Sequence, residues 1–122
     1  MTNYDSKEIE AHKFVKKYIN IFNDYSTRLR VLYRHNSKLY FENDVYNEID
    51  KIVEIVKNLE YKIDDYHIGE IQISDYPNAI KVYIDYTSNS YNKKMNQILH
   101  IAMDDTTKSL YIIDEELNFY EK

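Results

Sequence analysis

Residues 61–87, YKIDDYHIGEIQISDYPNAIKVYIDYT, decide the reading of the fold. At Tyr61 the apolar period of the chain changes from about 3.6, that of a helix, to about 2, that of a strand. Ile71 and Ile73 alternate with Glu70 and Gln72, and Ile80, Val82, Ile84 and Tyr86 alternate with Lys81, Tyr83 and Asp85. Two strands with one buried and one solvated face are expected, over about 66–74 and 79–87, with Asp75-Tyr76-Pro77-Asn78 turning between them. Gly69, the only glycine, falls inside the first, where it marks a bulge or sharp bend.

The same period continues downstream. Met95, Gln97, Leu99, Ile101 and Met103 share one face of a third strand, about 94–104, and Leu110 and Ile112 begin that face on a fourth, about 109–119. Asp104-Asp105-Thr106-Thr107-Lys108 reads as their hairpin, and Thr87 to Lys94 as a longer polar loop.

Upstream the period is helical. Ala11, Phe14, Val15, Tyr18, Ile21, Phe22, Tyr25, Leu29, Leu32 and Tyr33 form one stripe, opposite a face with Lys13, Lys16, Arg30 and Arg34. Asn23 to Thr27 offers a break, but the stripe stays in phase across it, so one continuous helix is expected over about 6–34. After the interruption His35-Asn36-Ser37-Lys38, an N-cap at Asn43 or Asp44 starts a second helix, about 44–59, with Val45, Ile49, Ile52, Val56 and Leu59 as its stripe. The expected fold class is therefore α+β: two N-terminal amphipathic helices on a bent four-stranded antiparallel sheet, in one domain spanning 1–122.

Composition narrows the function classes. The 122 residues include no cysteine and 43% apolar side chains, enough for a core without disulfides, thiol catalysis or thiolate metal sites. The net charge of −5 is uneven: residues 1–34 carry seven basic against four acidic side chains, the remainder nine against seventeen. An acidic sheet half opposes general nucleic-acid binding, which needs clustered cations, and suits a basic protein partner better. No long apolar run or signal-peptide pattern is present, so no membrane span and a cytoplasmic location are expected, with a fragment of an exported protein as the alternative.

A long amphipathic helix, a second helix and a bent antiparallel meander resemble the cystatin-like and nuclear-transport-factor-like folds, in which the sheet wraps the helix as a cone. The abundance of Asn, Lys, Ile and Tyr is similar to that of small staphylococcal-type proteins of low-GC Gram-positive bacteria, their phages and mobile elements. That resemblance implies an interaction protein, an inhibitor or accessory factor among them. Fold analogy alone does not assign the activity.

No motif for covalent chemistry emerges. One glycine cannot make a phosphate or dinucleotide loop, no serine sits in a nucleophile elbow, and His12, His35, His67 and His100 are scattered, with only His67 and His100 able to approach across strands. No catalytic residue, cofactor or metal is assigned. Tyr18, Tyr25 and Tyr86 are candidates to face a cone interior, where burial shifts a pKa, though such rings more often pack a core.

Two surfaces remain. Strict alternation turns Tyr83, Ile98, Ala102, Tyr111 and Ile113 away from the helices, an apolar set on a face that should be polar. A homodimer through it, a foreign partner and ordinary scattered surface are the readings. Asp64, Asp65, Asp104, Asp105, Asp114, Glu115 and Glu116 form acidic clusters at strand ends and turns, either a solvated rim or a docking edge for a basic protein. The sequence thus points to a non-enzymatic, homodimeric interaction module. A small-molecule-binding or enzymatic cone is the alternative, and needs a pocket between helix and sheet.

Overall fold

The computed structural model describes residues 3–24, 27–74 and 79–121. Tyr25 and residues 75–78, where the turn between the first two strands is expected, lie outside the described residues. Helix α1 spans Asn3–Asp24 and buries Ala11, Phe14, Val15, Tyr18, Ile21 and Phe22.

The continuous helix expected over 6–34 is corrected here. A 3-10 helix covers Thr27–Leu32, and strand β1 covers Tyr33–Phe41. Leu29, Leu32 and Tyr33 are buried as the stripe required, but a 3-10 helix repeats every three residues, so the apolar spacing is satisfied without an α-helix. The helix stops beside Asn23, whose side chain pairs with the backbone of the segment at Ile63: its Nδ2 donates to the Ile63 carbonyl at 2.9 Å, and its Oδ1 accepts from the Ile63 amide at 2.9 Å.

The second helix is also shorter than expected. Asn43 and Asp44 do not cap it; Glu42 and Asn43, with φ of 51° and 69°, make the tight turn from β1 into β2, Asp44–Tyr46. Helix α2 runs Ile49–Lys57 with Ile52 and Val56 buried, while Val45 is 56% exposed rather than part of its stripe.

The remaining strands, β3 Asp65–Ile73, β4 Ala79–Thr87, β5 Lys93–Met103 and β6 Leu110–Glu121, lie close to the expected ranges. Among the described residues the sheet has six strands rather than four, in the order β2-β1-β6-β5-β4-β3, with β1 parallel to β6 and every other pair antiparallel. Strand β1 was hidden by its polar middle, which is an irregularity. Ser37 is buried there, its Oγ donating to the Ile112 carbonyl at 2.5 Å and accepting from the Arg34 amide at 2.8 Å.

Two bulges bend the sheet around α1. Ile68 pairs with Ile84 and Glu70 with Tyr83, leaving Gly69 as the extra residue, as its place in the sequence foretold. In β6, Ile112 pairs with Ile101 and Asp114 with His100, so Ile113 is extra. That second bulge reverses inside and outside along the rest of β6. Among the described residues no helix is long and apolar enough to cross a membrane.

Candidate functional site

The reversal at Ile113 has its main effect on Glu115. Expected on the acidic rim, Glu115 instead points into the core and is fully buried. Four polar side chains meet there. Gln97 Nε2 donates to Glu115 Oε2 at 2.7 Å, the Tyr18 hydroxyl donates to the same oxygen at 3.3 Å, the Tyr33 hydroxyl donates to Oε1, and the Tyr86 hydroxyl donates to Gln97 Oε1 at 2.5 Å. Burial pushes the Glu115 carboxyl up to about 7, against the hydrogen bonds of Tyr33, Gln97 and Tyr18, which favour the anion. Burial, and then the Glu115 charge, hold the Tyr18, Tyr33 and Tyr86 hydroxyls well above the ordinary phenol value, so they remain donors. Tyr18 and Tyr86 therefore face the cone interior, but the cluster is sealed.

The open site, a mouth pocket, lies where β1 and β6 end and β5 begins. A pocket of about 570 Å³ is lined by Phe41 and Glu42 at the end of β1, by Ile55, Asn58, Leu59, Glu60 and Tyr61 at the end of α2 and just beyond, by Tyr91, Asn92 and Lys93 before and at the start of β5, and by Phe119 and Glu121 at the end of β6. Four rings form its apolar wall. Phe119 stands edge-on to Tyr61 at 5.4 Å and to Phe41 at 6.3 Å, and Tyr91 tilts against Tyr61 at 5.6 Å. The Tyr61 hydroxyl donates to the Lys93 carbonyl at 2.9 Å, which ties the α2 side of the pocket to the sheet.

The rim of this pocket is acidic, with Glu42, Glu60 and Glu121 against Lys93. Glu42 and Glu60 both hold left-handed backbone, φ 51° and 52°, where glycine or asparagine is ordinarily favoured. Carboxylates thus occupy two rim positions where glycine or asparagine would sit with less strain. The sequence assigned none of these residues to a site, Leu59 and Tyr61 being read only as a helix stripe and a change of period, because they come from four segments that meet only in the fold.

The outer face of the sheet is less apolar than strict alternation suggested. Tyr83 is paired with Ile98, and Ala102 with both Ala79 and Tyr111. Between those two rows runs a third, Lys81–His100–Asp114, in which His100 Nδ1 lies 3.3 Å from Asp114 Oδ2. Ile113 is the bulge residue, Ala102 is buried, and Tyr111 lies under the Arg34 guanidinium, 5.3 Å from the ring centre. Four of the five residues form two short rows, Tyr83–Ile98 and Ala102–Tyr111, and Ile113 stands apart at the bulge.

The remaining acidic residues are partly committed to internal contacts. Asp64 accepts from the Asn89 amide at 2.6 Å and orders the loop before β5. Asp104 accepts from the Thr106 amide at 2.8 Å and from Arg34 Nε at 2.8 Å, and the guanidinium holds its carboxyl below the ordinary value. Asp65, Asp105 and Glu116 are exposed. His67 and His100 do not converge: His67 is paired with Asp85 and His100 with Lys81, four positions earlier in β4. Among the described residues no group of three or more histidines and carboxylates is placed to hold a metal ion.

The model of the nuclear transport factor 2 (NTF2) domain family matches residues 10–119. No curated protein sequence matches the chain. Similar solved structures include an NTF2-like protein of unknown function from Shewanella baltica, 12% identical with a TM-score of 0.76 over 100% of both chains. Nuclear transport factor 2 from Cryptosporidium parvum is 18% identical with a TM-score of 0.69, over 89% of this chain and 90% of that one. A de novo designed protein with a curved β-sheet is 10% identical with a TM-score of 0.66, over 91% of this chain and 98% of that one. At such identities the likeness is one of fold.

Proposed function

We propose, from the premise that the chain belongs to the nuclear transport factor 2 domain family, that it is a non-enzymatic protein-interaction module. Its mouth pocket takes an aromatic or large apolar side chain from a partner segment that carries basic residues on either side. The observation behind this reading is the aromatic wall rimmed by three glutamates and one lysine. An apolar anchor gains from leaving water, and flanking cations meet the rim carboxylates at its edge, an arrangement that favours both affinity and choice of partner. A transport factor works by binding, and the family's name extends that mode of action to this chain as part of the same proposal.

An acidic inhibitor or accessory protein would use the same complementarity. Glu115 is buried and Asp104 is paired with Arg34, so the pocket rather than the strand-end clusters supports such a contact. A small-molecule reading draws on the same volume, which lies in the range of ligand sites. Glu115, whose carboxyl is pushed up to about 7 by burial, and the tyrosines around it do not line the pocket.

A peptide with one central phenylalanine flanked by lysines and arginines tests the proposal by NMR titration. It should move the Tyr91 and Phe119 ring signals, and the double variant Glu42→Lys/Glu121→Lys should weaken binding about tenfold or more. Equal affinity for wild type and variant would sink it.

Self-association through the outer sheet face is a second reading, supported by the adjacent Tyr83 and Ile98, both only half-buried.

A further inference from the structure

At the opposite end of the β5–β6 hairpin from the mouth pocket lies a groove of the opposite charge. It encloses about 290 Å³ between α1 and the hairpin. Its floor is Phe14 from α1 and the half-buried pair Met103 and Leu110, the last cross-strand pair before the hairpin loop. Lys13 and Lys17 stand one helical turn apart on the α1 side, and Lys108 stands on the loop side. Glu10 is the acidic residue in the lining, and the three lysines make no ion pair with a described residue.

Lys108 carries an independent signal. The loop closes with its amide donating to the Asp104 carbonyl at 2.7 Å, and its φ is 60°. The residue that ends such a turn in left-handed backbone is ordinarily glycine or asparagine. A lysine here places an ammonium group at the groove at the expense of backbone comfort.

We propose that this groove is a docking site for an acidic protein segment with one apolar side chain, distinct from the mouth pocket and independent of its occupant. Charge complementarity selects the occupant: in a chain with net charge −5, three cations with no ion pair to a described residue surround a small apolar floor. An extended segment can seat its apolar side chain on Met103 and Leu110 while carboxylates on either side reach lysines on both banks. The ten steps along β5 from Lys93 to Met103, at about 3.3 Å each, separate the groove from the pocket by roughly 33 Å, so both can be filled at once.

The test uses a fluorescein-labelled peptide of glutamates and aspartates around one central leucine, followed by anisotropy at low salt and by the methyl signal of Met103. Binding should shift Met103 and leave the fully buried Met95 in place. The double variant Lys13→Glu/Lys17→Glu should lose about tenfold or more in affinity, and Lys108→Gly about threefold. Lys108→Gly relieves the left-handed backbone, so its thermal midpoint should equal or exceed that of wild type, which separates binding from folding. An absence of binding, unchanged affinity in both variants, or an unmoved Met103 would overturn the proposal. Equal competition by a short oligouridylate would also overturn it, because the surface would then be a general anion attractor.

Discussion

At the scale of single residues, Glu115 is the most consequential side chain in the chain. Its carboxyl titrates at about 7 in the fold against an ordinary 4.5. A raised value means that the protonated form is favoured by folding. The contribution is fully present below about pH 4.5, declines as pH rises through 7, and amounts to roughly 3 kcal/mol between those limits. Glu115→Gln keeps the size and stays neutral, so its stability relative to wild type should rise steadily from pH 4.5 to 7 and level off above. Urea melts of the two proteins across that range check the slope. A constant difference would mean that Glu115 is ionised throughout. Glu60 poses the converse case. Its left-handed backbone predicts that Glu60→Gly stabilises the fold by up to about 1 kcal/mol while weakening the basic peptide at the pocket, a separation that thermal melts and the peptide titration read together.

At the scale of elements, contacts far apart in sequence fix where each segment stops. Asn23 ends α1 by pairing with Ile63, forty residues away, through two hydrogen bonds. Asn23→Ala should cost about 1–3 kcal/mol, because it leaves a partly buried amide and carbonyl without their partner. A loss below about 0.5 kcal/mol in chemical denaturation would show that the two bonds are replaced by water. Gly69 illustrates the limit of reading a glycine. It sits at the bulge as expected, yet its φ is unremarkable, and an added Cβ would meet the Tyr83 carbonyl at 3.8 Å, an ordinary contact. Gly69→Ala should therefore change stability by less than about 0.5 kcal/mol, or raise it slightly by stiffening the unfolded chain. A loss of several kcal/mol would require a constraint on the bulge that its geometry does not display.

At the scale of the whole molecule, the acid-rimmed pocket and the basic groove stand at opposite ends of one hairpin, and the outer sheet face lies between them. The dimer reading belongs to this scale. Ile98 lies opposite Glu116, and Tyr83 opposite Glu70, so Tyr83→Arg and Ile98→Arg each gain a cross-strand carboxylate and should leave the monomer folded. Light scattering should return twice the 14.8 kDa chain mass for wild type and the single mass for the double variant. A wild-type mass equal to one chain would remove the reading.

The change of period at Tyr61, the alternation of four strands and the apolar stripe of α1 were legible in the sequence, because burial on one face leaves a local pattern. So was the class of fold. The β6 reversal was legible in principle: Ile112 is core-facing at an even position while Leu117 and Phe119 face inward at odd ones, which demands one extra residue between them. What only the tertiary structure decided was β1, the sealed Glu115 cluster and the mouth pocket. Strand β1 exists by pairing with β6 across more than seventy residues, and the cluster and pocket each draw on segments scattered along the chain. Local periodicity reports whether a side chain is buried, but not which distant group it meets once it is.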